Sequence, residues 1–215
     1  MENHLKKLLL FCIAILFSCS PKQQTSTLTH DGAWCWFSDP RGVRHHDITY
    51  TGWVNSHGDI VLSAFYHRTG RIDTTIIHEK LEVDDHANPS ILVRHDGRIM
   101  AFYSKHGTGT FPIVLRVSNA PHDISSFKTP LMLALNDTLN YPRDYRDSYT
   151  YTNPCELAGE DHRIYLFWRG MGHKPNVSFS DDGGASWATG KIMIQPEDVY
   201  PHRRPYLKVA SNGQD

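Results

Sequence analysis

A short unit recurs along the chain, in which a polar turn is followed at once by an apolar and aromatic strand. It occurs at 58–66, 96–103 and 161–168, and residues 211–215 resemble the opening turn of a further copy. Glycine and aspartate suit a backbone that reverses direction, and the alternating or fully apolar runs are typical of strands. Helical periodicity is almost absent after residue 30. We therefore expect an all-β domain.

Recurrence of such units favours an array of small antiparallel sheets. A β-propeller packs four-stranded antiparallel sheets, called blades, around one axis and leaves few edges exposed. At roughly 40–50 residues per blade, residues 30–215 suffice for about four blades. Because the last residues begin a strand unit without finishing it, we expect an incomplete, N-terminal portion of a larger, seven-bladed propeller.

The first residues are predicted to be an export signal. Two lysines precede an apolar run over 8–18, which is about half the length that a membrane-spanning helix needs. Residues 16–19, Leu-Phe-Ser-Cys, resemble the lipobox of bacterial lipoproteins, which makes Cys19 the lipidated residue; a plain signal peptide cleaved nearby is the alternative. We expect an exported lipoprotein anchored at the outer membrane or cell surface, with three parts: a signal peptide (1–19), a flexible tether (20–29) and the propeller domain (30–215).

Charge and cysteine content exclude some classes of protein. With 22 basic and 23 acidic residues the chain has no basic field, so nucleic acid is not an expected partner. Cys35 and Cys155 alone lie beyond the export region, which allows buried thiols or one disulfide but no disulfide framework. The 14 histidines and 10 tyrosines instead suit acid–base chemistry and contacts with carbohydrate.

Two histidines frame a predicted hairpin. His86 and His106 stand 20 residues apart, about the length of two short strands joined at the turn Asp96-Gly97. A hairpin returns both imidazoles to one edge of a sheet. The two side chains are therefore expected to lie close together.

Residues 180–187, SDDGGASW, fit the Asp-box pattern Ser-x-Asp-x-Gly-x-Ser/Thr-Trp, which resembles the hairpin turns of sialidase-like propellers. Aspartate and serine can bond to turn amides, glycine supplies a positive φ, and tryptophan buries against the blade. Asp182 and Trp187 are therefore expected to be structural.

Five further segments resemble the BNR-repeat family, whose characterised members include propeller-type ulvan lyases. The resemblance runs in the family's order from about residue 30 to the end, and its segments are DGAWCWFSDPR (31–41), DDHANP (84–89), FYSKHG (102–107), FWRG (167–170) and RPYLK (204–208). It implies a lyase that cleaves a uronate-containing, ulvan-like polysaccharide by β-elimination. The implied partner is an acidic polysaccharide or oligosaccharide.

The resemblance also implies site residues, because the groove of those lyases is lined by two histidines, a tyrosine and an arginine. His86 and His106 match the histidines, Tyr151 the tyrosine and Arg169 the arginine. Arg169, assisted by His106, would neutralise the sugar carboxylate, His86 would be the base and Tyr151 the acid. The reverse assignment, or tyrosine performing both steps, stays open.

Three more residues are expected to bind substrate. Tyr149 competes with Tyr151, because the two tyrosines should share a face of one strand, and Tyr206 and Arg204 follow from the last matched segment. Trp34, Trp36 and Phe37 are expected in the core, although an exposed member can stack on sugar rings.

Two other functions remain open, as does a bound ion. Sialidases clamp a carboxylate with three arginines, so a sialidase-like exo-glycosidase acting on a carboxylated sugar is one alternative, and its candidate arginines are Arg41, Arg143, Arg146, Arg203 and Arg204. A non-catalytic glycan-binding lipoprotein is the other. No cofactor is required. A structural calcium or zinc ion is allowed, but neither His45-His46-Asp47 nor Asp84-Asp85-His86 supplies a full ligand set.

Overall fold

The structure, a computed structural model, describes residues 27–35, 41–106, 111–140, 148–194 and 205–214. Within these ranges the strands are β1 (Gly42–His45), β2 (Ile48–Val54), β3 (Ile60–Tyr66), β4 (Ile72–His78), β5 (Ser90–Val93), β6 (Ile99–Tyr103), β7 (Ile113–Val117), β8 (Leu131–Leu133), β9 (Thr150–Leu157), β10 (Arg163–Arg169), β11 (Pro175–Ser180) and β12 (Lys191–Ile192). Three short 3-10 helices are η1 (Asp85–Ala87), η2 (Ala158–Glu160) and η3 (Met171–His173).

The strands form three four-stranded antiparallel sheets, in the orders β1-β2-β3-β4, β5-β6-β7-β8 and β9-β10-β11-β12. We call these sheets blades 1, 2 and 3. Contacts join β1 to β5 and β5 to β9, so the first strand of each blade is the inner one. This is the β-propeller arrangement, and the predicted all-β fold is confirmed. Of the expected four or so blades, three lie among the described residues.

The core lies between the blades, and β6 shows why its sequence is continuously apolar. Ile99, Ala101 and Tyr103 face a cluster shared with blade 1, whereas Met100 and Phe102 face a cluster shared with blade 3. Successive side chains of a strand point to opposite faces, so a strand covered on both faces needs apolar residues at every position. The middle blade is thereby held on both sides.

The Asp-box turn adopts the predicted structural role. The carboxylate of Asp182 accepts hydrogen bonds from the Ser186 amide at 2.8 Å and from the hydroxyls of Ser180 and Ser186 at 2.8 and 2.5 Å. Gly184, the glycine of the pattern, has a φ of 92°, and Trp187 packs edge-on against Phe102 of blade 2 at 5.9 Å between ring centroids. The motif closes the β11–β12 connection and helps join blades 2 and 3.

Other predictions have mixed outcomes. Cys35 and Cys155 do not form a disulfide. Trp34 is 57% exposed and not in the core, because it lies under the guanidinium of Arg41 at 5.0 Å. No helix within the described ranges is both long and apolar enough to span a membrane. The export signal with Cys19, and the segment containing Trp36 and Phe37, lie outside the described residues.

Candidate active site

One end of the blades gathers the side chains matched to the lyases. Helix η1, which contains His86, leads into the inner strand β5, and His106 follows the neighbouring strand β6. Tyr151 lies near the start of the inner strand β9, and Arg169 ends β10. In a meander the start of the first strand and the end of the second share one edge, so all four residues meet at that edge. We call this the upper end of the blades.

Short polar contacts fix helix η1. The Asp84 carboxylate caps it by accepting a hydrogen bond from the His86 amide at 2.8 Å. Asn88 then ties the segment to blade 1, because its side chain accepts from the Val54 amide at 2.8 Å and donates to the Ala33 carbonyl at 3.2 Å. The position of His86 is therefore set by blade 1 as well as by its own blade.

The two histidines converge on one carboxylate. Nδ1 of His86 lies 2.5 Å from Oδ1 of Asp84, and Nδ1 of His106 lies 3.0 Å from Oδ2. The imidazoles are stacked, with ring centroids 3.7 Å apart and planes within 5°. The predicted hairpin, with Gly97 at a φ of 80° in its turn, thus brings the pair together. Asp84 holds both Nδ1 atoms as donors and leaves each Nε2 to face other groups.

Asp84 is stabilised as an anion. Burial opposes its ionisation, but hydrogen bonds from the His86 amide and from the His106 and His86 side chains outweigh burial and lower its pKa to about 2. A second carboxylate supports the site, because Glu82 accepts a hydrogen bond from the His106 amide at 2.6 Å. The carboxylate of Asp85 lies 2.9 Å from Nδ1 of His86.

A β-bulge decides which tyrosine reaches the site. Phe167 pairs with Asn153 but Arg169 pairs with Thr150, so β9 has one residue more than β10 over this stretch. Tyr151 lies in the bulge with a φ of 59°, a left-handed conformation that is uncommon for a residue with a Cβ. Its ring lies 5.4 Å from that of His86.

Tyr149 takes the opposite course, which corrects the expectation that the two tyrosines share a face. It is 5% exposed and packs against Trp168 in the core cluster between blades 2 and 3. Its hydroxyl accepts a hydrogen bond from the Asn136 amide at 3.1 Å. The extra residue in β9 turns the chain between the two positions, so Tyr149 serves the core and Tyr151 faces the histidines.

Arg169 supplies a buried positive charge beside Tyr151. It is 9% exposed, and its Cζ lies 5.5 Å from the Tyr151 ring centroid and 5.3 Å from that of Tyr206. The ion pairs of the described residues do not include Arg169. Its buried Nε has no hydrogen-bond partner among these residues either. A guanidinium in this state is suited to bind a carboxylate from outside the protein.

Tyr151, Arg169 and Tyr206 line a shallow pocket together with Asn153 and Leu207. Burial raises the pKa of Tyr151 to about 12, although the Arg169 guanidinium acts in the opposite direction. The phenol therefore keeps its proton at neutral pH. Tyr206, which is 49% exposed, forms the outer wall of this pocket.

The structure thus brings together five of the residues matched to the lyases, and these are His86, His106, Tyr151, Arg169 and Tyr206. Arg204 lies outside the described residues. Sequence reasoning missed Asp84 as the carboxylate that holds both imidazoles, and it missed Glu82. The acidic residues just before His86 were a usable signal, since an aspartate two residues before a histidine can cap the turn and bind the ring.

The same three side chains of Asp84, His86 and His106 present ligand atoms within 4.8 Å of one another, as do two other groups of residues. Here each imidazole is already hydrogen-bonded to the carboxylate. The carboxylate of Asp84 therefore orients both rings.

Comparison with known proteins now assigns the family. The model of the BNR repeat-containing family matches residues 48–215. The chain belongs to this family. This chain is 24% identical, over 186 residues, to an ulvan lyase of the PL25 type from Pseudoalteromonas sp. (strain PLSV). The match covers 77% of this chain and 34% of the relative.

Two solved structures share the fold of this chain. Both are PL25 ulvan lyases. The structure bound to GlcA(1-4)Rha3S has a TM-score of 0.58 and a sequence identity of 19%, and the other has a TM-score of 0.59 and an identity of 20%. Each alignment covers 79% of this chain and 41% of the other. This chain spans about a third of the length of the curated relative that it matches.

Proposed function

We propose that this protein is a polysaccharide lyase that cleaves a uronate-containing, ulvan-like polysaccharide by β-elimination. The observation that carries the proposal is the convergence of two imidazoles on Asp84, beside Tyr151 and the buried guanidinium of Arg169. Similarity to an ulvan lyase, and to a lyase structure that contains GlcA, supports the same substrate class.

The first requirement of the reaction is to neutralise the uronate carboxylate, because this acidifies the neighbouring C5 proton. Arg169 is suited to this step, since it is buried and its Nε has no partner among the described residues. A guanidinium binds a carboxylate through paired hydrogen bonds. His106, with Nδ1 donating to Asp84, assists in its imidazolium form, in which the Nε2–H donates a hydrogen bond to the sugar carboxylate.

The second requirement is a base for the C5 proton and an acid for the departing oxygen. Asp84 fixes the Nδ1 of His86 as a donor, so the Nε2 of the neutral ring is the lone pair that accepts the proton. Tyr151, whose pKa is raised to about 12 by burial, keeps its proton for donation to O4. The C5–H and C4–O4 bonds break, and a double bond forms between C4 and C5.

Other groups are proposed to hold the polymer along the groove. Tyr206 lies partly exposed beside Arg169 and offers a ring face for a sugar. The exposed ring of Trp34 precedes the buried Cys35, which lies near Tyr151. Arg204 remains a proposed substrate-binding residue on the ground of its matched segment alone.

The test is to incubate the full chain with ulvan and to follow the ultraviolet absorbance of the unsaturated uronate. The wild type should produce this chromophore, and His86→Ala should lower the rate by about 10²–10⁴-fold, the usual contribution of a general base. His57→Ala is the matched control, because His57 is an exposed histidine outside the site. Equal rates in wild type and His86→Ala, with both folded, would remove His86 as the base.

The product separates the lyase from its two alternatives. A sialidase-like exo-glycosidase would release reducing sugar without the chromophore. Four of the five arginines considered for its triad lie outside the described residues, the exception being Arg41. Binding of ulvan without any product would indicate a glycan-binding protein.

We also propose that the protein is exported and lipidated at Cys19, on the ground of the apolar run and the lipobox-like residues 16–19. In bacterial cells fed a labelled fatty acid, the wild-type chain should carry the label in the membrane fraction. Cys19→Ala should not incorporate it. Absence of label from the wild type would contradict the proposal.

A further inference from the structure

Three histidines meet at the lower end of the blades, opposite the candidate active site. His45 ends β1, His46 lies in the β1–β2 turn, and His122 follows β7. Because β1 and β7 both run toward that end, the group joins blade 1 to blade 2. The ring centroid of His45 lies 4.1 Å from that of His46 and 5.0 Å from that of His122.

The backbone is arranged to bring these rings together. His46 and His122 both adopt left-handed conformations, with φ values of 53° and 56°. The His122 amide donates to the Gly97 carbonyl at 2.8 Å, and a Cβ on Gly97 would lie 2.6 Å from the Nε2 of His122. Glycine at this position lets the imidazole approach the hairpin turn. Unusual backbone of this kind is a feature of binding sites.

Among the described residues, the two carboxylates next to this group in sequence are bonded to other partners. Asp47, next to His46, accepts hydrogen bonds from the amide and the Nε of Arg68 at 3.0 and 3.1 Å. Asp123, next to His122, accepts from the Ser125 amide at 2.7 Å. The buried Nδ1 of His45 has no hydrogen-bond partner among the described residues. A buried polar atom without a partner is unfavourable unless a ligand satisfies it.

A second histidine group at this end shows the contrast. The rings of His95 and His162 are stacked, with centroids 3.8 Å apart. The Glu156 carboxylate lies 2.7 Å from the Nδ1 of His95 and 3.9 Å from the Nδ1 of His162. This carboxylate accepts from the Nδ1 and the amide of His95, each at 2.7 Å. The carboxylate of Glu156 thus satisfies that group. In the group of His45, His46 and His122, the Nδ1 of His122 faces the Tyr50 hydroxyl at 3.4 Å, and the buried Nδ1 of His45 has no hydrogen-bond partner among the described residues.

We propose that His45, His46 and His122 form a zinc site that links blade 1 to blade 2. Their ligand atoms all lie within 4.8 Å of one another. Zinc binds imidazole at about 2.0–2.1 Å, which sets nitrogens of a tetrahedral site about 3.3 Å apart. Rotation of the side chains, above all that of the exposed His46, shortens the distances between the ligand nitrogens to this value. Three neutral imidazoles suit Zn²⁺ and leave its fourth position to water.

The experiment uses the full chain without a histidine tag, stripped of metal with a chelator. Zn²⁺ is titrated calorimetrically, and Co²⁺ is bound in parallel because its visible spectrum reports tetrahedral coordination. His46→Ala is the main variant, since this exposed side chain can be removed with little risk to folding. His122→Gln is the second variant, and His57→Ala is the control for loss of a surface histidine.

Two rival groups must be removed to locate the ion. The double variant His86→Ala/His162→Ala disables the groups at Asp84 and Glu156. We expect this double variant to bind one Zn²⁺ as the wild type does, and we expect zinc to raise its melting temperature. His46→Ala and His122→Gln should each weaken binding by on the order of 100-fold or more, since loss of a ligand exceeds the 10–100-fold effect of outer-shell changes.

The proposal is overturned if the wild type binds no Zn²⁺ at micromolar concentrations. It is equally overturned if the double variant loses the ion while His46→Ala and His122→Gln, folded by circular dichroism, bind it with unchanged affinity. Neither result depends on lyase activity, so the zinc site and the proposed reaction stand or fall separately.

Discussion

Replacing Asp84 by asparagine tests the arrangement of the candidate active site most directly. The change keeps the shape of the side chain but removes the charge that both imidazoles face. Folding lowers the pKa of Asp84 from 3.8 to about 2. At 1.36 kcal/mol for each tenfold change in proton affinity, this corresponds to about 2 kcal/mol of folding free energy.

The pH dependence has a definite sign. The pKa of Asp84 is lower in the folded state, so its contribution is fully present above about pH 4 and is lost as the pH falls toward 2. Urea unfolding of wild type and Asp84→Asn should therefore differ by about 2 kcal/mol at neutral pH. The difference should shrink steadily below pH 4.

Asp85→Asn is the matched control. Asp85 lies 2.9 Å from the Nδ1 of His86, is more exposed than Asp84, and forms no ion pair with His106 among the described residues. Its replacement should change the free energy of unfolding by less than about 1 kcal/mol, as is usual for exposed ion pairs. Equal unfolding curves for Asp84→Asn and wild type at neutral pH would refute the reasoning.

Three further predictions address the site, the turn and the core. Tyr151→Phe should lower the rate of chromophore formation by about 10²–10⁴-fold at unchanged melting temperature, since only the phenolic proton is lost; an unchanged rate would exclude Tyr151 as the acid. Asp182→Ala should destabilise the protein by about 1–3 kcal/mol in urea, because the Asp-box loses its acceptor, whereas Asp181→Ala should cost less than about 1 kcal/mol; equal losses would contradict the structural role. Leu166→Ala should cost about 2–5 kcal/mol by the same measurement, since the side chain is fully buried between blades 2 and 3, and a loss below 1 kcal/mol would show that this interface is loosely packed.

The fold was largely readable from the sequence because its signals are local. Turn residues followed by apolar strands identify each hairpin without knowledge of distant contacts. The Asp-box is equally local, since Asp182 bonds only to residues within a few positions of itself. Trp34 departed from expectation because its ring is exposed and lies against the Arg41 guanidinium, a contact that its apolar character alone does not predict.

The site was only partly readable, because its geometry is set across blades. Spacing alone predicted that His86 and His106 would meet, since one hairpin controls both. The acidic residues before His86 give a local signal for the bond between Asp84 and His86, which lie two positions apart. The second bond, from Asp84 to His106, joins residues 22 positions apart and depends on how η1 packs beside the end of β6.

The sequence by itself determined the strands, their turns and the hairpin that pairs two histidines, because each follows from residues close together in the chain. The tertiary structure alone decided between Tyr149 and Tyr151, since the bulge in β9 depends on pairing with β10. It also decided that His122 joins His45 and His46, residues more than seventy positions away. Such choices depend on how separate blades pack, and packing between distant segments leaves no periodic signal in the sequence.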